Sequence, residues 1–256
     1  MHIIVPIKEV PDTYGERHLN LETGLVARDG ELVLDEICER AVEAALTMTA
    51  DVPDSTVTVV AMGPASAADS IRKALAMGAD DAIHVVDDAL LGADLVLTAQ
   101  LLATVIGRHP ADLVLTGNIS TDGSGGVLAA MLAELLKLPQ ATNLSSITCD
   151  GQTVKGTRVT DSGIATVEAT LPAVASITEA LPDPRFPSLK GIMGAKKKPV
   201  ETLSAQDLCD TSGRQAAHAI NLAVAARPPR SAGIKMVDEG DGAARLVQFL
   251  MDRKLV

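Results

Sequence analysis

The feature that most constrains the fold is an alternation of short apolar runs with amphipathic segments over residues 1–140. The apolar runs have the length of buried strands and lie at 2–8, 55–61, 82–86 and 113–115. The intervening segments place apolar residues at helical spacing. The predicted helices cover 35–50, 64–78, 94–107 and 127–136. Because strands separated by helices of this length form parallel sheets with right-handed crossovers, we predict a parallel sheet.

The pattern changes after residue 141, where polar and apolar residues alternate in shorter segments. Segments 144–148, 153–160 and 164–170 predict antiparallel strands added at the sheet edge, and 171–177 predicts another buried strand. Together these patterns predict an α/β fold. Its core is a Rossmann-like, doubly wound, mostly parallel sheet, with an added antiparallel β segment and an extended C-terminal arm.

The composition argues against several classes of function. The net charge of −11 and pI of about 4.8 disfavour nucleic acids and anionic membranes as main partners. Apolar runs stay well short of the ~20 residues of a membrane span, and the N-terminus lacks signal-peptide features. The three cysteines form no paired motif, and the histidines have no metal-ligand spacing. We therefore expect a cytoplasmic protein with no direct membrane insertion and no metal site.

The stretch 112–139 carries the candidate site. An apolar strand leads into a loop of small polar residues, then into a helix that Pro139 ends. Backbone N–H groups at a helix start lack internal partners, and the helix dipole favours an anion there, so the stretch predicts a phosphate site. Glycines at 123, 125 and 126 remove Cβ atoms that would hinder a phosphate. The alternative is an ordinary strand-to-helix turn, because the same residue types are common helix caps.

Two further observations bear on the ligand. Ligands of parallel sheets lie beyond the carboxyl ends of the strands, which favours the phosphate interpretation of the loop. The first strand is followed by Lys8 and Glu9 instead of the G-x-G-x-x-G of a standard NAD site. A standard NAD-binding Rossmann site is therefore not expected.

The segment 182–200 combines prolines, exposed-type apolar residues and a triple lysine within an acidic chain. These features are typical of a docking element, or of a core-packed loop followed by a solvated basic tail. Residues 210–256 are rich in alanine, proline and glycine and contain one short amphipathic helix, at about 241–251. We predict a domain over 1–209 and an arm over 210–256 that wraps a second subunit.

Several separated blocks resemble the β subunit of electron transfer flavoproteins along the whole chain. The blocks are IKEVPD at 7–12, CERAVE at 38–43, GPA at 63–65, IRKALAMGAD at 71–80, DLVLTG at 112–117, LPAV at 171–174, PRF at 184–186 and IMGAKKK at 192–198. The resemblance implies a heterodimer with an α subunit that holds most of an FAD, and an AMP without a redox role in the β subunit.

The resemblance also implies an AMP site by position. The implied residues are Pro6, Ile7, Lys8, Asp35, Glu36, Ile37, Cys38, Met62, Gly117, Asn118, Ser120, Thr121, Asp122, Gly123, Ser124, Gly125, Gly126, Val127 and Leu128. Many family members carry Gln and Thr or Val at the positions of Val127 and Leu128, and a polar residue at the position of Gly126. Here backbone N–H groups would have to hold the phosphate.

Two protein surfaces follow from the same resemblance. Asp12, Thr13 and Tyr14 would approach the flavin across the subunit interface. Leu189 matches the anchor leucine of the loop that recognises partner dehydrogenases. The expected docking residues are Arg185, Phe186, Leu189, Lys190, Ile192 and Met193.

Three functions remain open at this point. The first is an electron carrier, without bond-making chemistry of its own, between flavin-dependent dehydrogenases, such as the acyl-CoA dehydrogenases of fatty acid oxidation, and a membrane quinone oxidoreductase. The second is a flavin-bifurcating subunit with a second FAD in place of AMP and NADH as the donor. The third is a free-standing ATP- or AMP-binding signalling module.

Overall fold

The computed structural model describes residues 1–208 and 217–256. Two compact units are present, Met1–Val224 and Ala225–Val256. Cys209 and the domain boundary predicted at 209–210 lie outside the described residues.

The described residues contain twelve strands. They are β1 His2–Ile7, β2 Glu9–Pro11, β3 Leu32–Leu34, β4 Thr56–Met62, β5 Asp81–Val85, β6 Leu113–Gly117, β7 Gln140–Leu144, β8 Ser146–Cys149, β9 Thr153–Thr160, β10 Gly163–Thr170, β11 Ala173–Ile177 and β12 Val200–Leu203. The helices are α1 Glu36–Thr49, α2 Ala67–Met77, α3 Leu95–Arg108, α4 Leu128–Leu136, α5 Leu189–Ala195, α6 Ala205–Leu208 and α7 Gly242–Asp252, with a short 3-10 turn at Asp88–Leu90.

Within the described residues, seven strands form one parallel sheet in the order β12–β5–β4–β1–β6–β11–β7. Successive side chains of a strand point to opposite faces, so Ile3 and Val5 pack with α1 and α2, whereas Ile4 packs with α3 and α4. Helices therefore cover both faces of the sheet. This arrangement confirms the predicted doubly wound α/β fold.

The antiparallel part differs in detail from the prediction. The single strand expected at 144–148 is two strands, because Asn143 adopts a left-handed conformation and the chain changes direction at Ser145. β7 ends at the buried Leu144 and belongs to the parallel sheet, whereas β8, β9 and β10 form a separate antiparallel sheet. Gly156 of β9 permits the close approach of β8, since a Cβ atom at this glycine would lie 2.0 Å from the carbonyl oxygen of Ser146.

The unit 225–256 contains α7, which lies close to the predicted position and has no buried residue. Its exposed apolar side chains include Leu246, Val247 and Met251. Among the helices of the described chain, none is long and apolar enough to span a membrane.

Candidate functional site

The candidate site lies where the carboxyl ends of β1 and β6 meet. These strands are neighbours, yet the chain leaves β1 toward α1 on one face and leaves β6 toward α4 on the other face. Such a divergence creates a crevice, and ligands of doubly wound sheets bind there. We call residues 118–127, between β6 and α4, the site loop.

Asp122 anchors the site loop to the end of β1. Its side chain is 2% exposed, and Lys8 Nζ donates to its Oδ1 atom at 2.6 Å. Arg28 Nη2 lies 3.5 Å from Oδ2, and the backbone N–H of Gly123 donates to Oδ1. Burial disfavours the charged carboxylate, but the hydrogen bond and charge of Lys8 outweigh burial and lower the pKa of Asp122. The carboxylate is therefore charged, its charge is balanced by Lys8 and Arg28, and its hydrogen bonds hold the loop in place.

Asp35 ties the same loop to the start of α1. The residue is fully buried, and its Oδ2 atom accepts a hydrogen bond from the backbone N–H of Thr121 at 3.0 Å. Burial raises the pKa of Asp35, and the nearby charge of Asp122 adds to this rise, although the hydrogen bond from Thr121 opposes it. Two carboxylates thus fix the loop at neighbouring residues, Asp35 through the backbone of Thr121 and Asp122 through its own side chain.

The N-terminus of α4 supplies hydrogen-bond donors. Val127 occupies the N-cap position without a side-chain cap, and the first backbone bond runs from Met131 N to Val127 O. Within the described residues, the backbone N–H groups of 125–128 have no hydrogen-bond acceptor. Gly126 adopts a positive φ of 68°, which a residue with a side chain rarely does. Unpaired N–H groups at a helix start are the elements of an anion site.

Buried side-chain oxygens without a partner lie in the first half of the site loop and at the N-cap of α1. Asp35 Oδ1, Asn118 Oδ1 and Thr121 Oγ1 are buried and have no hydrogen-bond partner among the described residues. Asn118 and Thr121 also line a cavity of about 170 Å³ together with Ile37. Buried polar atoms are costly without a partner, so this arrangement suits a ligand that carries hydroxyl or amino donors. The residues present therefore fit a nucleotide, with donors for its phosphate and acceptors for its polar groups.

The other residues expected at this site are brought to the same edge of the sheet. Pro6 and Ile7 are the last two residues of β1 and are buried. Met62 ends the neighbouring strand β4, and Glu36 is exposed at the start of α1. Cys38 is buried in α1, and burial raises the pKa of its thiol to about 12. The thiol is therefore protonated at neutral pH, and a protonated thiol is a poor nucleophile.

Gly117, at the end of β6, sets the distance between the strand and α1. A Cβ atom at this position would lie 2.7 Å from Cγ1 and Cγ2 of Ile37. Only glycine allows α1 to approach the strand this closely. The wall of the cavity that Ile37 forms depends on this contact.

Sequence reasoning missed two arginines at the site. Arg28 contacts Asp122 and donates to the backbone oxygen of Glu9 at 3.0 Å, and Arg17 donates to the backbone oxygen of Thr121. Both lie in the polar segment 13–31, which has no periodic pattern, so no local signal points to them. They bring positive charge to the site of an acidic chain.

The residues expected to approach the flavin form an exposed turn. Asp12 Oδ1 accepts a hydrogen bond from the backbone N–H of Tyr14 at 3.1 Å. The Tyr14 side chain is 94% exposed. An aromatic ring held outside the fold in this way is available to a partner surface.

The expected docking residues lie on a second surface, the docking segment 182–198. Phe186, Leu189 and Met193 are 95%, 83% and 72% exposed, and Lys190 and Ile192 are exposed beside them. Large apolar side chains that cluster at the surface mark an interaction site more often than scattered ones do.

Arg185 is held differently from its neighbours. Its guanidinium makes two hydrogen bonds to the carboxylate of Glu43, at 2.7 and 3.0 Å, and its backbone N–H donates to the same carboxylate. Arg40 lies in α1, as Glu43 does, and donates to Leu181 O and to Asp183 Oδ1. Arg185 therefore fastens the segment to α1, whereas Lys190 is an exposed cation beside the exposed apolar residues.

Comparisons with known proteins agree on one family. The family model described as electron transfer flavoprotein domain matches residues 23–208. The chain is 45% identical to "Electron transfer flavoprotein subunit beta" of Mycobacterium tuberculosis, over 100% of this chain and 99% of that protein. It is 32% identical to the protein of the same name from Bacillus subtilis, over 98% and 97% of the two chains. It is 34% identical to "Caffeyl-CoA reductase-Etf complex subunit CarD" of Acetobacterium woodii, over 81% and 80%.

Proposed function

The chain belongs to the electron transfer flavoprotein family as a β subunit, and we propose that it carries electrons as half of a heterodimer with an α subunit. In this proposal the α subunit holds most of one FAD. The FAD supplies the chemistry, because it can accept and release electrons, and the β subunit makes or breaks no bonds. We assign the site loop to AMP and the docking segment to flavin-dependent dehydrogenases.

The AMP assignment rests on one observation: the site loop contains both backbone N–H groups and buried side-chain oxygens that have no hydrogen-bond partner among the described residues. The unpaired N–H groups of 125–128 would bind the phosphate. Asn118 Oδ1 and Thr121 Oγ1, which are buried without partners, would accept from the polar groups of the nucleoside. The chain has few aromatic residues, so the adenine would pack on aliphatic side chains such as Ile37.

Asp122 would act indirectly in this site. Its carboxylate is already paired with Lys8 and capped by Gly123, so it shapes the loop and presents little uncompensated charge to a phosphate. Lys8 and Arg28 would add favourable charge at the edge of the site. AMP would thus be a structural ligand that completes the β subunit.

Electron entry would take place at the docking segment. The exposed side chain of Leu189 would insert into a partner dehydrogenase, for example an acyl-CoA dehydrogenase of fatty acid oxidation. Tyr14, on its exposed turn, would contact the α subunit beside the flavin. The electrons would then pass to a membrane quinone oxidoreductase, with the complex working in the cytoplasm.

A second candidate function has one observation in its favour. The chain is 34% identical to a subunit named for a caffeyl-CoA reductase–Etf complex, so a relative of this chain belongs to a reductase complex, and the candidate role is flavin bifurcation. In that role a second FAD would occupy the site loop in place of AMP, with NADH as the donor. Lys8 and Arg28 would then face a pyrophosphate instead of a single phosphate.

The docking part of the proposal is tested with the purified heterodimer of this chain and its α subunit. An acyl-CoA dehydrogenase that reduces the wild-type complex is used as the electron donor. We expect Leu189→Ala to keep the flavin content but to slow dehydrogenase-driven reduction. Leu91→Ala, at another exposed leucine, serves as the control and should reduce at the wild-type rate. Equal rates for Leu189→Ala and the wild type would contradict the docking role.

A further inference from the structure

The docking segment contains a helix that cannot be stable by itself. α5 has seven residues, and isolated helices of this length do not form in water. Its apolar side chains do not hold it on the protein either, because Leu189 and Met193 are largely exposed and only Ala195 is buried. Contacts other than side-chain burial therefore contribute to keeping this helix in place.

Reciprocal capping of two helix ends provides that support. Arg72, on α2, donates from Nη1 to Ala195 O at 2.6 Å and to Lys198 O at 3.2 Å, at the C-terminal end of α5. Lys198, just beyond α5, donates from Nζ to Leu75 O at 3.0 Å and Gly78 O at 3.2 Å, and also to Ala79 O, at the C-terminal end of α2. Each cation thus satisfies carbonyl oxygens at the negative end of the other helix.

Backbone contact at Gly191 sets the distance between the helices. A Cβ atom there would lie 2.3 Å from the carbonyl oxygen of Ala76. Gly194, one turn further along α5, has open space around its Cβ position. Close approach is therefore needed at one glycine of α5 and not at the other.

We propose that Arg72, Gly191 and Lys198 are positioning residues that hold Leu189 ready for a partner. The proposal rests on the docking function assigned above, because it explains how the docking side chain is presented. A segment that is ordered before binding loses little conformational entropy when it binds. If the segment were ordered only a fraction of the time, its apparent affinity for the partner would fall by that fraction.

Lys198 and Lys197 offer a matched pair of variants. Both are lysines of the KKK run, but Lys197 is exposed, whereas the Lys198 ammonium is part-buried against α2. Lys198→Met and Lys197→Met each remove one positive charge, but only Lys198→Met also removes the hydrogen bonds to the C-terminal carbonyl oxygens of α2. Gly191→Ala and Gly194→Ala form a second pair within α5, which keeps the test valid if Lys198→Met fails to fold.

The test uses the purified heterodimer as substrate of an acyl-CoA dehydrogenase that reduces the wild type. We expect Lys198→Met and Gly191→Ala to raise KM for the complex by roughly tenfold, with kcat unchanged. Hydrogen exchange of the amides in 189–195 should be faster in both variants. Lys197→Met and Gly194→Ala should keep the exchange rates of the wild type, and their KM values measure the effect of the lost charge and of the added methyl group alone.

Two results would overturn the proposal, and they are distinguishable. If Leu189→Ala raises KM but Lys198→Met and Gly191→Ala behave like their controls, docking stands and the positioning role is wrong. If Leu189→Ala itself has the KM of the wild type, the docking function is wrong, and the positioning proposal falls with it.

Discussion

Lys8 Nζ lies 2.6 Å from Oδ1 of Asp122, although 114 positions separate the two residues. This contact joins the end of β1 to the loop after β6, across the switch point of the sheet. Asp122 is almost completely buried, whereas Lys8 is 40% exposed. The ion pair therefore serves chiefly to fix the shape of the site loop.

A double-mutant cycle measures this contact. We expect Asp122→Asn to destabilise the heterodimer more than Lys8→Met does, because Asp122 also has Arg28 and Gly123 as partners. The coupling energy between the two positions should be about 1 kcal/mol, from thermal unfolding of the single and double variants at one protein concentration. Lys155 and Glu168, an exposed pair at 3.0 Å, provide a control cycle with smaller coupling. Equal coupling in the two cycles would contradict the anchoring role of Asp122.

The close approach of β6 and α1 predicts an effect of substitution at Gly117. Gly117→Ala should lower the free energy of unfolding by about 1–3 kcal/mol, because the new methyl group meets the branched side chain of Ile37. Gly107→Ala is the matched control, since Gly107 lies in α3 with open space at its Cβ position. It should be neutral or stabilise the protein by about 0.5–1 kcal/mol. Denaturant unfolding of both variants decides the matter, and a neutral Gly117→Ala would count against the tight contact.

The buried thiol of Cys38 should be chemically inert in the folded complex. Burial raises its pKa to about 12, so almost no thiolate is present at pH 8. Iodoacetamide at pH 8 should leave Cys38 unmodified in the native heterodimer and alkylate it after denaturation, as read by peptide mass spectrometry. Rapid native alkylation would show that the start of α1 opens in solution.

The ion pair between Glu43 and Arg185 predicts a pH dependence. Burial raises the pKa of Glu43, but the hydrogen bonds and charge of Arg185 outweigh it and lower this pKa below 4.5. Because the pKa is lowered in the folded state, the stabilisation exists above pH 4.5 and is lost as the pH falls through the folded pKa.

Glu43→Gln tests this dependence. It should cost about 1 kcal/mol at pH 7, a modest value because Arg185 is partly exposed, and the difference from the wild type should shrink as the pH falls below 4.5. Glu239→Gln, at an exposed position, should show no such pH-dependent difference. Thermal unfolding of the heterodimer across this pH range gives the comparison, and a constant difference would contradict the assignment.

The sequence predicted the parts of this structure that depend on local pattern. The apolar runs around Ile4 and Val114, and the helical spacing between them, were sufficient for the parallel sheet. The position of the site loop followed from the rule that ligands bind at the carboxyl ends of parallel strands.

The features that the sequence did not reveal depend on contacts between distant residues. Lys198 lies 123 positions from Leu75, and the three lysines 196–198 look alike in sequence, so only the structure distinguishes the capping residue from its neighbours. Arg28 reaches Asp122 over 94 positions from a segment without periodicity. Strand β12 was missed because it is short and only partly apolar, and the parallel partner β5 defines it.

The nucleotide content of the complex decides between an AMP and a second FAD at the site loop. The chain is co-expressed with its α subunit, the heterodimer is purified, and nucleotides released by denaturation are separated and quantified. We expect equimolar FAD and AMP, at one of each per heterodimer. Two FAD per heterodimer without AMP would contradict the assignment of the site loop to AMP and would favour the bifurcating function.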